Sequence, residues 1–406
     1  VIPLEEARAH VLSHVTRLPA VRRPCAEARG CVLAEPVVAV EDIPAFANSA
    51  MDGYAVRAAD TVGAPVELPV SGVLAAGADP ATAKVRPGEV VRIMTGAALP
   101  EGADAIVIVE QTEPLHDGAR VRLLASAAEG DHVRVPGDDV RTGDVVFDAG
   151  TVITSAHLGV LASLGVLEVT VIRRPRVGVL STGDELVEGN SPLAPGQLRD
   201  SNRHGLLPMV AEAGCEPVDL GLRRDDRAAI TAAIDDAVAS CDALLTSGGV
   251  SMGDFDEVKV VLSERAPDMR WMQIAIRPAK PFAFGTLNGV PVFGLPGNPV
   301  SSIISFELLA RPALRKMMGF ADDALDRPRL AAVADEPLRR SPDGKVHFAR
   351  VVLTVRDGQL HARSAGGQGS HQLAALAAAN ALAVLPDGEG AAANDAIDVI
   401  PLTWPT

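Results

Sequence analysis

The 406-residue chain carries 37 Lys and Arg against 52 Asp and Glu, a net charge of −15, and 48% of its residues are hydrophobic. That length predicts roughly two to four domains with real cores, and the acidic balance argues against nucleic acid or an anionic membrane as the main partner. No stretch approaches the ~20 apolar residues of a membrane span, no secretory leader is visible, and Cys25, Cys31, Cys215 and Cys241 form no C-x-x-C, so a cytoplasmic location is expected.

Apolar positions at helical spacing (Ala7, Val11, Leu12, Val15) predict an opening amphipathic helix from Leu4 to about Thr16. Val32-Leu33-Ala34 and Val37 to Val40 are β-like. The string Asn48-Ser49-Ala50-Met51-Asp52-Gly53-Tyr54-Ala55 places an Asp-Gly turn before a short strand. Taken alone it reads as a plain turn. From Val62 to Arg134, short β segments alternate with Gly and Pro, which predicts a small β-rich domain. Within it, Arg92-Ile93-Met94-Thr95-Gly96 breaks a strand with a Thr-Gly turn, and Pro136-Gly137-Asp138-Asp139 is a further acidic turn. A short helix (His157 to Leu164) and a strand (Val166 to Val171) follow.

Next come three apolar runs, each ending in small and polar residues and leading toward a helical pattern. They are Val177 to Leu180 before Ser181-Thr182-Gly183-Asp184-Glu185-Leu186, Ala243 to Leu245 before Thr246 to Asp254, and Val290 to Leu295 before Pro296-Gly297-Asn298-Pro299-Val300-Ser301. Such runs predict buried parallel strands of an α/β sheet, whose ligands sit outside the carboxyl ends. Asp200-Ser201-Asn202 supplies N-cap chemistry for a helix ended by Gly214, and Asp225 or Asp226 caps a helix running to about Ser240. Phe255 to Leu262 reads as helical, Asn288-Gly289 as a hairpin turn, and Val300 to Lys316 as a helix bent at Pro312. Beyond Arg327 the punctuation is β-like again, predicting a separate C-terminal β-domain.

Around the sheet edge lie Asp184, Glu185, Asp200, Asp225, Asp226, Asp254 and Asp256. Each could simply cap a helix, worth about 1 kcal/mol. If several converge, a divalent cation is the natural counter-charge, because two carboxylates ~4 Å apart repel by roughly 4 kcal/mol at an effective dielectric of 20. Carboxylate and phosphate oxygens suit Mg²⁺. Ser247-Gly248-Gly249-Val250-Ser251 and Pro296 to Ser301 precede helices, whose N–H groups favour oxyanions. Arg277-Pro278-Ala279-Lys280 adds two cations in a stiff turn. The chain has no P-loop, no Rossmann fingerprint and no nucleophile elbow. The residues by themselves point to a Mg²⁺-assisted site for a phosphorylated or oxyanionic small molecule.

At these strings, in order and over nearly the whole chain, the sequence resembles the molybdopterin molybdenumtransferase (MoeA) family, which includes the gephyrin E domain. The resemblance implies a multidomain α/β plus β fold: a central MogA-like three-layer α/β domain, a β-rich insertion domain and a C-terminal β-barrel-like domain. The expected boundaries are residues 1–40 with 138–172, 41–137, 173–325 and 326–406. It also implies a homodimer with its active site at the subunit interface, and an activity that inserts molybdenum from molybdate into adenylylated molybdopterin with release of AMP. Mg²⁺ is the implied cofactor, and a MogA-type adenylyltransferase a further partner. On this mapping Asp52, Thr95 and Asp139 reach across the dimer, and Glu185, Asp225 and Asp254 are the metal-side carboxylates. Ser247, Gly248, Gly249, Ser251, Arg277, Lys280, Pro296, Gly297, Asn298, Pro299 and Ser301 hold substrate. Ala279 stands where the family commonly has Gly, and Asp138 where Glu is common. Adenylylation of molybdopterin and a non-enzymatic scaffold are the competing readings.

Overall fold

The computed structural model describes residues 1–249 and 257–404. The chain divides into two compact units. One comprises Arg23–Arg29 with Glu35–Val169, the other Val1–Arg22, Gly30–Ala34 and Thr170–Thr406. The opening helix α1 (Leu4–Ser13) belongs to the second and buries Leu4, Ala7 and Val11.

The smaller unit is built on six strands: β1 (Gly53–Val56), β2 (Val66–Leu74), β3 (Val90–Ile93), β4 (Ala105–Ile108), β5 (Thr112–Leu115) and β6 (Arg120–Leu123). Their order is β4-β1-β3-β2-β6-β5, antiparallel except for β2 beside β3. Tyr54 and Val56 bury on one face with Val90 and Val107, while Ala55 buries on the other with Val91 and Ile106. Both faces of β1 and β4 are covered, so these two strands read as continuous apolar runs, whereas β6 alternates Arg120 and Arg122 with buried Val121 and Leu123. Gly53 is required by packing, since a Cβ there would stand 2.2 Å from the Val107 carbonyl oxygen.

The larger unit begins with a mixed sheet. Its strands are β7 (Arg176–Thr182), β8 (Glu216–Arg223), β9 (Ala243–Ser247), β10 (Arg270–Gln273), β12 (Pro281–Leu287) and β13 (Val290–Leu295), with β11 (Ile276–Arg277) lying elsewhere. The order is β8-β7-β9-β13-β12-β10, and the first four are parallel. The helices are α3 (Asn202–Glu212), α4 (Arg227–Ser240), α5 (Glu257–Arg265), α6 (Pro299–Ser305) and α7 (Arg311–Met317); α2 (Ser155–Ser163) is in the smaller unit. Val177, Val179, Leu245 and Phe293 pack with α1, α3, α6 and α7, whereas Leu180, Leu244 and Val292 pack with α4 and α5. This is the expected three-layer arrangement.

Local chemistry explains the boundaries. Asp226, and not Asp225, caps α4 by accepting the Ala229 N–H at 2.8 Å. Gly214 ends α3 at φ +95°, a conformation that costs other residues about 1–2 kcal/mol. Asn288 and Gly289 both have positive φ and close the β12–β13 hairpin. The helix bend expected at Pro312 takes the form of a π turn over Phe306–Ala310, just before the residue that has no N–H to donate back.

The C-terminal β-domain closes into a barrel. Its strands are β14 (Leu330–Ala334), β15 (Val346–Arg356), β16 (Gln359–Ser364), β17 (Ala381–Leu385) and β18 (Ala396–Pro401). They run β15-β16-β14-β18-β17, and β17 pairs back to β15. Strand β11 leaves the α/β sheet to lie parallel to β15, with Ile276 opposite Val346 and Arg277 opposite His347. Nothing in the local sequence announces that crossing, and it is what brings the Arg277 turn against the barrel.

Candidate active site

The register fixes where the chemistry stands. Thr182 pairs with Arg223, Ser181 with Ser247, and Ser247 with Leu295. The loops after β7, β8, β9 and β13 therefore leave one edge of the sheet together, at the carboxyl ends where α/β folds bind ligands.

At one end of this edge lie carboxylates. The Asp184 N–H approaches Asp225 Oδ2 at 3.4 Å, and the Asp225 N–H approaches Asp184 Oδ1 at 3.3 Å. Partial burial, and then the charges of Asp184, Glu185 and Glu257, push the Asp225 carboxyl above its ordinary range. Burial is the largest cause, and the neighbouring carboxylates add to it. Among the described residues no three His, Cys, Asp or Glu side chains form a ready metal cage. Asp254 and Ser251, two of the sequence-predicted site residues, lie outside the described residues.

The middle of the edge is glycine. Gly248 (φ +98°) and Gly249 (φ +79°) adopt left-handed conformations, and a Cβ on Gly249 would stand 2.5 Å from the Val258 Cβ. The neighbouring loop, 296–299, comes so near that a Cβ on Gly297 would touch the Gly248 Cα at 3.9 Å. Asn202, at the start of α3, joins the two. Its Nδ2 donates to Ser247 Oγ at 2.7 Å and to the Gly297 carbonyl at 2.7 Å. Below them Asp200 accepts the Ser181 hydroxyl at 3.0 Å and Arg203 Nε at 3.0 Å, while Arg203 also pairs with Asp219 and Glu188. Asp200, Asn202 and Arg203 are all buried, so this string is a foundation for the glycine loops.

The far end is cationic. Arg277, Lys280, Asn298 and Ser301 line a cavity of about 260 Å³ together with Lys345, Gln368 and Ser370 from the C-terminal domain. Ser301 is buried, and Pro299 occupies the first position of α6. The Val300 N–H donates to the Ser370 carbonyl at 3.1 Å, pinning the two domains at the cavity. Fully buried Arg350 donates from Nη2 to the Gly367 carbonyl at 2.6 Å and from its backbone N–H to Gln368 Oε1 at 2.9 Å, shaping the loop that carries Gln368 and Ser370. Ala279 has φ +75°, which explains why glycine suits this turn.

Lys345, Arg350, Gln368 and Ser370 were missed by the sequence reasoning. Lys345 follows a Pro-Asp-Gly turn and Gln368 sits in a Gly-Gly-Gln-Gly-Ser loop, signals of a turn but not of a ligand. In the smaller unit, Asp52 Oδ1 accepts both the Thr95 N–H (2.7 Å) and the Thr95 hydroxyl (2.8 Å), and these two bonds hold its carboxyl below the usual range. Asp139 is exposed on a separate turn anchored by its own N–H to the Ile43 carbonyl at 2.9 Å.

Comparison with known proteins identifies relatives along nearly the whole chain. Residues 2–165 match the model of the MoeA N-terminal region (domains I and II), 178–316 that of a probable molybdopterin binding domain, and 332–402 that of the MoeA C-terminal region (domain IV). The chain is 42% identical over 374 residues to molybdopterin molybdenumtransferase 2 of Mycobacterium tuberculosis, covering 90% of each protein. It is 40% identical over 365 residues to molybdopterin molybdenumtransferase of Haemophilus influenzae, covering 90% of this chain and 89% of that one. A crystal structure of the molybdopterin biosynthesis moeA protein from Pyrococcus horikoshii OT3 superposes with a TM-score of 0.82 at 29% identity, over 99% of this chain and 100% of that one.

Proposed function

The chain belongs to the molybdopterin molybdenumtransferase family of molybdenum cofactor biosynthesis, and from that premise we propose that it inserts molybdenum from molybdate into adenylylated molybdopterin and releases AMP in a divalent-metal-dependent reaction. The observation that carries this reading is the gradient along the sheet edge: carboxylates beside β7 and β8, glycine loops after β9 and β13, and Arg277, Lys280 and Lys345 around a cavity at the end. One elongated substrate with a phosphate near the middle and an oxyanion at the cationic end fits that order of charges.

The donor set fits a hard divalent cation, because it offers only carboxylate oxygens, and the charges of Asp184, Glu185 and Glu257 add to burial in raising Asp225. Glu185 and Asp225 would hold Mg²⁺, with Asp254 as a third carboxylate. When bound, the ion supplies positive charge beside the adenylyl phosphate. The remaining work falls to this chain. The backbone N–H groups of Gly249, Gly297 and Asn298 would cradle phosphate oxygens, since the Gly248 N–H is donated to the Leu295 carbonyl. Arg277, Lys280 and the Ser301 hydroxyl hold the molybdate, assisted by Lys345 and Ser370. This is positional and electrostatic catalysis and needs no covalent nucleophile.

In this proposal the protein acts as a homodimer in the cytoplasm, and Asp52, Thr95 and Asp139 of a second copy complete the site. An adenylyltransferase of MogA type would supply the substrate. The test is AMP release and cofactor formation from adenylylated molybdopterin, with Mg²⁺ and molybdate each added or withheld. Turnover that requires both and is lost in Asp254→Ala supports the reading. Tight binding without turnover under all conditions, tungstate included, would overturn it in favour of a scaffold.

A further inference from the structure

Beside the oxyanion cavity a second cavity of about 400 Å³ shares Arg277, Pro278, Gln368 and Gly369 with it and adds Arg339, Arg340 and His347. One carboxylate stands between the two groups of cations. Asp343 lies in the Pro342-Asp343-Gly344 turn that precedes β15, where Gly344 supplies the positive φ of +71°. Its Oδ1 accepts from Arg340 Nη2 at 2.9 Å and contacts His347 Nε2 at 3.1 Å. Its Oδ2 accepts from Lys345 Nζ at 2.9 Å and lies 4.0 Å from Arg277 Nη1.

These four partners depend on Asp343 to different degrees. Arg340 is also held by Asp387 and by the carbonyls of Lys345, Leu385 and Pro386, so it keeps its place without Asp343. Lys345 has Asp343 as its one ion-pair partner among the described residues, and so has Arg277, at a looser distance. Arg277 is two-thirds exposed on its side chain, which leaves it able to turn. Of the three cations that line the oxyanion cavity, Arg277, Lys280 and Lys345, two are therefore the ones that Asp343 engages most exclusively. The hydrogen bond from Lys345, then the contact with His347 and the charges of both, hold the Asp343 carboxyl down at about 2, so it is charged at neutral pH.

We propose that Asp343 is the resident counter-anion of the oxyanion cavity, a positioning residue that holds Lys345 and Arg277 until the incoming tetrahedral oxyanion displaces it. The inference rests on the functional reading above. A dianion arriving at the cavity must compete with Asp343 for both cations, so Asp343 weakens ground-state binding while keeping the cation geometry ready. The exchange breaks and forms only ion pairs and hydrogen bonds.

The test uses the full chain, with molybdate alone as the probe, by equilibrium dialysis at several salt concentrations. Asp343→Asn keeps the shape and removes the charge, and is expected to tighten molybdate binding by roughly two- to fivefold per cation released, the scale of a screened ion pair. Lys345→Met is expected to weaken binding, and in the Asp343→Asn/Lys345→Met double variant most of the gain should vanish. In turnover, KM for molybdate falls in Asp343→Asn while kcat does not rise. Binding that is unchanged or weaker in Asp343→Asn, with Lys280→Met still losing molybdate, overturns the role of Asp343 alone. Wild-type binding that is indifferent to Lys280→Met and Lys345→Met overturns the assignment of the cavity itself. Matching thermal unfolding curves separate either outcome from a folding defect.

Discussion

Asn202 is the point at which the two glycine loops depend on one side chain, and its replacement gives a sharp expectation. Asn202 faces the Gly297 carbonyl, an acceptor, so its amide nitrogen must point there, and the same nitrogen reaches Ser247 Oγ. Asn202→Ala removes two hydrogen bonds worth about 1 kcal/mol each and leaves the buried Ser247 hydroxyl short of a partner, for a loss of about 2–3 kcal/mol. At roughly 2 °C per kcal/mol for a unit of this size, its melting temperature should fall by about 4–6 °C. The activity loss should be larger, because about 1 Å of loop displacement can cost on the order of a hundredfold in rate. Asn202→Asp preserves shape but replaces the donor with a carboxylate facing a carbonyl. It should be at least as harmful as alanine at neutral pH, and should recover as the pH falls and the new carboxyl gains a proton. The assay is thermal unfolding across pH combined with single-turnover AMP release. An aspartate variant as stable as wild type at pH 7, or an alanine variant within about 0.5 kcal/mol of it, would refute the argument.

Gly249→Ala combines a positive φ with a Cβ 2.5 Å from Val258; it should cost more than about 1–2 kcal/mol and abolish binding of adenylylated molybdopterin, read by calorimetry. Thr95→Val removes the hydroxyl donor from Asp52 but keeps the N–H. The Asp52 carboxyl, depressed in the folded protein, should move up toward its ordinary value. A carboxyl lowered on folding stabilises above its unfolded pKa and loses that contribution as pH falls through the folded one. Thr95→Val should accordingly shift the onset of acid loss to higher pH, measured by carboxyl-directed NMR titration and by the acid limb of activity. Cys215, buried with its thiol pushed up to about 12 by desolvation, should resist iodoacetamide at pH 8 in the folded protein and react only on unfolding, as followed by mass spectrometry.

The sequence determined the local elements and the class of fold. Buried strands covered on both faces must be apolar throughout, so Val177–Leu180, Ala243–Leu245 and Val290–Leu295 announced a parallel sheet. Turns and helix ends follow from backbone sterics, which is why Asn288-Gly289 and Gly214 read correctly from their own residue types. Helix-start glycine loops likewise pointed to the sheet edge at which the proposal places an oxyanion. What the sequence left undecided was every relation set by distant partners. Asp200, Ser201 and Asn202 looked like simple cap chemistry, yet Asp200 is tied to Ser181 and Arg203, and Asn202 to Ser247 and Gly297. The sequence left Asp225 and Asp226 as alternative caps; Asp226 takes the cap, and Asp225 instead approaches Asp184, 41 positions away in the chain. Lys345, Gln368 and Ser370 reach the cavity only because β11 crosses to the barrel and α6 is pinned to Ser370. Propensity and periodicity act over a few residues, whereas a binding cavity is made by contacts between segments far apart in the chain, and these exist only once the domains have packed.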